Sequence, residues 1–349
     1  MGKTIFDSVT ARALVAYAEN KPQQEAPFLF ETLFGTEKQL GLDISYIVDS
    51  VEDAKLLQVH AFDSKTNKMD RSGFSEMKLS AFLSKNKKNV DEKMRQDLLI
   101  MEQTGDVAKI DIVKNRIFND QISLLAAARR QREFMRSQIV STGLLTIAEN
   151  GQTISIDYGM PATNKGTSVK KWDDITSDII ADIQALQDKV EENGNERPSR
   201  AVCSRKILRS IMKNTDIINS LKNASVMANE ANVLNYIYDM TGLTVIVYDK
   251  KYVSSTGSST RYIAEDLFLL LPSLDGGTIL GNMVFGTTPE EADLMGGLNA
   301  NVSLTDTGVA VTITRETDPV LLSTKISQVC VPTFPAVKKV GILDTQITL

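Results

Sequence analysis

The chain is poor in the residues that most chemistry needs. It holds one histidine, His60, one tryptophan, Trp172, and two cysteines, Cys203 and Cys330, in 349 residues. A single histidine cannot build a multi-histidine metal site. Two cysteines far apart, outside any CxxC spacing, read as buried free thiols rather than a disulfide framework. There is no GxxxxGK[ST] phosphate loop, no GxGxxG after a strand, no HExxH, no EF-hand pattern and no GxSxG elbow. The carboxylate pairs Asp173–Asp174 and Glu290–Glu291 fall at helix starts or in loops, where the helix dipole accounts for them. Apolar runs of membrane-spanning length are missing, and so is an N-terminal leader pattern, so neither a membrane nor export is expected. A net charge of −5 argues against a surface built to grip phosphate backbones. No catalytic, cofactor-binding or metal residues are assigned, and an enzyme is not expected.

What is present is an ordinary apolar fraction, 42%, with 24% charged residues, on a chain long enough for two domains or one domain with extensions. The longest regular pattern runs from Asp106 to Ser141, with no proline or glycine. Ile110, Val113, Ile117, Leu124, Ala128, Met135 and Ile139 recur at helical spacing, and Gly143 stands where a left-handed cap would sit. Such a helix is on the order of 50 Å long, a rod from which other parts hang. It carries Arg129, Arg130, Arg132 and Arg136, which read as a solvated face with Glu133 close by, ahead of a contact with nucleic acid or an acidic neighbour.

Before the rod, Phe28, Phe30 and Phe34 form an apolar cluster that fits either a docking arm or a short helix on its own core. Lys38 to Ile47 alternates as a strand with Leu40, Leu42, Ile44 and Tyr46 on one face. Ala54 to Phe62 and Phe74 to Leu83 flank a polar tip holding Lys65, Lys68 and Arg71. A two-stranded ribbon of this kind is marginal alone and needs a neighbour. Asn89 to Gln103 reads as a helix capped by Asn89.

After the rod, LLTIAENGQTISIDYG is a hairpin turning at Asn150-Gly151, which pairs Ile147 with Ile154 and Leu145 with Ile156. A boundary loop over 159–171 leads to a mixed α/β unit. It has a helical stripe at Ile175, Ile179, Ile183, Leu186 and Val190, a strand at Ala201–Cys203, and a helix from Ser204. A helix over Asn232–Met240, a buried strand at Thr244–Tyr248, and strands at Leu267–Leu271 and Thr278–Phe285 follow. The end alternates through Val309–Thr314, VLLSTKISQVCVPTFP and a last strand, Val337–Leu343.

The order of these parts, with RRQREFMRSQ and STGLLTIAENGQTISIDYGMP after the helix, then TVIVYD, LPSLDGGTILGNMVFG and DPVLLSTKISQVCVPTFP, resembles the major capsid proteins of tailed bacteriophages of the lambda capsid protein E type. The resemblance implies the HK97-like α+β capsid fold. Its N-arm and lead-in strand would be 1–50 and its E-loop 51–85. The P-domain would be 86–171 and 301–335, with its spine helix at 106–141. The A-domain would be 172–300 and 336–349.

It also implies a structural protein that assembles into hexamers and pentamers of an icosahedral shell around double-stranded DNA, without sequence-specific binding. Phe28, Phe30, Phe34, Lys65, Lys68, Arg71 and the four arginines become candidates for contacts between subunits. A separate scaffolding protein, a portal and, in some relatives, a decoration protein are the implied partners. The place is the virion capsid, assembled in the host cytoplasm. The alternatives are an encapsulin-like cargo shell and, further off, an α/β enzyme without a recognisable motif.

Overall fold

A computed structural model describes residues 27–48, 75–90, 107–149, 151–194, 196–254, 257–273, 280–295, 302–305, 307–317 and 320–348, with isolated helical positions at 12, 15, 16, 92, 93, 96 and 100. In chain order the elements are α1 (Leu29–Leu33), β1 (Phe34–Lys38), β2 (Asp43–Val48), β3 (Ser75–Ser80), β4 (Phe82–Val90) and α2 (Val107–Thr142). The hairpin strands β5 (Leu144–Glu149) and β6 (Gln152–Asp157) follow, then β7 (Lys165–Thr167), α3 (Ile179–Gly194), β8 (Arg200–Cys203), α4 (Arg205–Lys213), α5 (Thr215–Asn223) and α6 (Glu230–Thr241). The rest is β9 (Thr244–Val247), β10 (Lys251–Val253), β11 (Ser259–Arg261), β12 (Leu267–Leu271), β13 (Gly281–Phe285), α7 (Pro289–Met295), β14 (Val302–Thr305), β15 (Val309–Thr317), β16 (Val320–Pro332) and β17 (Gly341–Asp344).

The chain divides into two compact units. The first takes Met1–Ile44, Leu79–Arg136 and Asn282–Thr333. Its 6-stranded sheet runs β1-β13-β16-β15-β14, with β4 also on β16. The alternating stretch of β16 earns its length by pairing with β15 from Val320↔Thr317 to Gln328↔Val309, and with β4 from Leu322↔Val90 to Cys330↔Phe82. Helix α2 lies on this sheet: the Gln328 side chain donates to the Ala128 carbonyl at 3.3 Å, and Lys88 Nζ to Ser123 Oγ at 2.7 Å.

The second unit takes Ser45–Lys78, Ser137–Gly281 and Phe334–Leu349. Its 5-stranded sheet, β7-β17-β12-β8-β9, is packed by α3 to α6. Trp172, Ile183, Leu186, Val190, Ile207, Ile211, Phe268 and Leu270 form one buried cluster. Ser204 caps α4 by accepting the Ile207 N–H, Asn214 caps α5, and Gly242 at φ +72° ends α6.

Local chemistry placed several boundaries where the sequence put them. Gly143 has φ +74° and donates its N–H to the Ile139 carbonyl, the left-handed stop expected for α2. The hairpin register pairs Leu145 with Ile156 and Ile147 with Ile154, and Gly151 has the positive φ its turn requires.

Other expectations give way. The alternation over 38–47 breaks at Gly41, φ +97°, so Leu40 and Leu42 are exposed while Ile44 is buried. Asn89 lies in β4, opposite Ser323, and the described positions 92, 93, 96 and 100 after it are helical. Ile175 precedes α3 and is 54% exposed. The strand at Thr244 is half-buried, because it ends the sheet. Residues 335–339 form a 3-10 turn before β17 instead of a continuous strand, with Pro335 opening it. Gly281–Phe285, read with the α/β unit, hydrogen-bonds to β16. The boundary loop contributes β7, paired parallel to β17. The strand expected at 54–62, the polar tip and His60 lie outside the described residues.

Candidate assembly surfaces

The first unit holds buried and half-buried ion pairs that join distant parts of the chain. Helix α1 is bound to α2 through two carboxylates. Glu31 forks onto Arg129, with Oε2 2.5 Å from Nη2 and Oε1 2.9 Å from Nε. Glu133 accepts the Phe30 N–H at 3.1 Å. Burial works to raise the Glu31 pKa, but the Arg129 hydrogen bonds and charge, with the Phe28 N–H, outweigh it and hold the carboxyl below its usual range. Arg129 also stands over the Phe28 ring at 5.5 Å and Arg132 over the Phe285 ring at 5.4 Å.

The arginine row is therefore not the solvated face expected. Arg132 and Arg136 are 6% and 3% exposed, Glu133 is 0% exposed, and Arg136 Nη1 lies 3.9 Å from Glu133 Oε2. Arg129 is bound to Glu31, and Arg130 alone of the row is exposed. Phe28, Phe30 and Phe34 are all buried against their own chain, in the manner of the short-helix reading. Lys65, Lys68 and Arg71 lie outside the described residues.

The sequence also understated Glu290 and Glu291. Both are buried at the start of α7. Glu290 binds Lys325 at 2.5 Å and accepts from Ser327 at 2.6 Å, while Glu291 pairs with Lys38. Burial raises the Glu290 pKa, but Lys325 and Ser327 prevail and lower it. Nothing local in GTTPEE distinguishes this pair from a solvated helix start. The signal lies in lysines far along the chain.

These carboxylates and cations hold elements together. Burial pushes both thiols up to about 12, leaving Cys203 and Cys330 inert. Among the described residues no cluster of three histidine, cysteine or acidic side chains has a metal-binding arrangement, and no helix is long and apolar enough to cross a membrane.

The family model of phage major capsid protein E matches residues 10–326. The chain belongs to that family. Among solved structures, a prophage protein of Escherichia coli CFT073 assigned as a capsid protein superposes with a TM-score of 0.62 at 16% identity, covering 97% of this chain and 99% of that one. A phage-related protein of Bordetella bronchiseptica RB50 gives 0.57 at 13% identity, covering 97% of each chain. No curated protein sequence matches. The likenesses give this capsid protein the HK97-like α+β fold. As a member of the family it is a structural, shell-forming protein of the virion and not an enzyme.

Proposed function

We propose that this capsid protein forms hexamers and pentamers that close into an icosahedral shell around packaged double-stranded DNA. The observation that carries the reading is the family match across residues 10–326. A closed lattice tolerates weak individual contacts because each subunit makes many at once. Residues 1–50 serve as the N-arm and 51–85 as the E-loop. Residues 86–171 and 301–335 serve as the P-domain around its spine helix, and 172–300 with 336–349 as the A-domain. Arg130, exposed on α2, and Lys65, Lys68 and Arg71 of the E-loop are the side chains proposed to touch neighbouring subunits.

A net charge of −5 suits a container whose packaged DNA slides without sequence-specific contacts. A scaffolding protein and a portal direct closure in the host cytoplasm, and a decoration protein is an optional addition outside.

The test is electron microscopy of the protein expressed alone and with a scaffolding partner. Shells, rings or tubes are expected in at least one sample. Small discrete particles in both, under crowding and across salt, overturn the reading. Shells from infected cells filled with enzyme cargo in place of DNA transfer the chain to the encapsulin-like role.

A further inference from the structure

Strand β9 ends the five-stranded sheet, with β8 on one side. The Thr244 N–H donates to the Ser199 carbonyl and the Tyr248 N–H to the Cys203 carbonyl, both at 2.9 Å. Alternation then turns the N–H and C=O of Val245 and Val247 away from β8. Among the described residues nothing pairs with those groups. Their side chains pack on the core of the second unit, so the backbone edge is held firmly in place.

The protein treats another edge differently. Strand β4, at the margin of the first unit's sheet, carries exposed Lys85, Lys87 and Lys88, the charged blunting that keeps a foreign strand from adding. Strand β9 reads TVIV, with neither charge nor proline. Just before it, the end of α6 leaves Tyr238 and Met240 56% and 47% exposed, apolar surface of the kind that covers the side chains of an added strand. A short edge without charge or proline, presenting alternating donors and acceptors, recognises one chemistry, an extended polypeptide backbone.

We propose that the outer edge of β9 is a strand-addition site for an extended segment of a second copy of this chain. The choice of occupant rests on the shell-forming reading above: in a shell, the usual neighbour is another copy.

Hydrogen exchange in dissociated subunits and in shells assembled from this protein alone tests it. The Val245 and Val247 amides should exchange freely in subunits and at least about tenfold more slowly in shells. V245P and V247P remove an outward N–H, at the position where an edge strand accepts proline, along with part of a side chain that packs on the core. Both should fold, with a Tm lowered by the lost core contacts, and fail to assemble.

Equal exchange of these amides in subunits and shells overturns the proposal, whether or not either variant folds. So do folded V245P and V247P that assemble at wild-type yield. Protection that a different protein confers on dissociated subunits without assembling them assigns the edge to that protein and overturns the second-copy occupant. Wild-type protein that assembles neither alone nor with a scaffolding partner overturns the shell reading and this proposal together, whereas assembling proline variants overturn this proposal alone.

Discussion

Glu133 on α2 accepts the backbone N–H of Phe30, 103 positions earlier in the chain, at 3.1 Å. The same carboxylate faces the buried guanidinium of Arg136. Glu133→Ala removes the negative partner and leaves a buried cation, a loss typically of about 3–5 kcal/mol. Glu133→Gln keeps an acceptor for Phe30 and should fall between the two. Urea unfolding of the three proteins measures this. An alanine variant within about 0.5 kcal/mol of wild type, the range of an unremarkable surface change, would sink the account.

The acid limb of the stability curve follows from Glu31 and Glu290. Both folded carboxyls titrate below the ordinary value of 4.5. A lowered folded pKa means the unfolded chain takes up the proton first. The stabilisation is therefore complete above the unfolded value, and it is lost as pH falls below 4.5 and through the folded value. Glu31→Gln and Glu290→Gln should each flatten the fall in Tm between about pH 5 and pH 3 and leave its alkaline side unchanged. A double variant as acid-sensitive as wild type would show that other groups govern this limb.

What the sequence disclosed depended on the range of the interaction. Helix α2 and its Gly143 stop, the Ile147–Ile154 register and the start of a helix at Ser204 rest on neighbours within a few residues, so spacing and residue type sufficed. The arginine row misled because its partners lie far along the chain, Glu31 98 positions from Arg129 and Gln328 196 positions from Arg132. Glu290 and Glu291 misled for the same reason, their partners being Lys325 and Lys38. Leu40 and Leu42 alternate correctly with Ile44, but the turn at Gly41 resets the chain, and a period-2 pattern cannot register a turn inside it.

That turn supplies a steric prediction. A Cβ on Gly286 would sit 2.5 Å from the Gly41 carbonyl oxygen and 3.0 Å from a methyl of Val329. The Gly286 N–H also donates to the Val329 carbonyl at 2.9 Å, so the strand cannot move aside without losing that bond. Gly286→Ala should cost about 1–3 kcal/mol, the usual penalty of overpacking, and should loosen the turn. The readouts are the unfolding midpoint and faster exchange of the Gln39 amide, which donates to the Phe285 carbonyl. A variant with the wild-type midpoint would mean that the approach of these two backbones is not tight in solution.

The single tryptophan gives the second unit its own reporter. Trp172 is 1% exposed, packs against Phe268 with ring centroids 5.3 Å apart, and donates its indole N–H to Asp182 Oδ2 at 2.9 Å. Asp182 also accepts the Val169 N–H through its other oxygen, at 3.3 Å, so one carboxylate ties the lead-in loop to α3. Asp182→Ala leaves the buried indole N–H without its acceptor, at a cost of about 1–3 kcal/mol. Asp182→Asn retains an amide oxygen for the indole and should recover most of the loss. Tryptophan emission followed through urea should show a native blue-shifted band in all three proteins and an earlier transition in the alanine variant. If asparagine and alanine lower the midpoint equally, the indole bond contributes little, and the carboxylate acts through its charge near the start of α3.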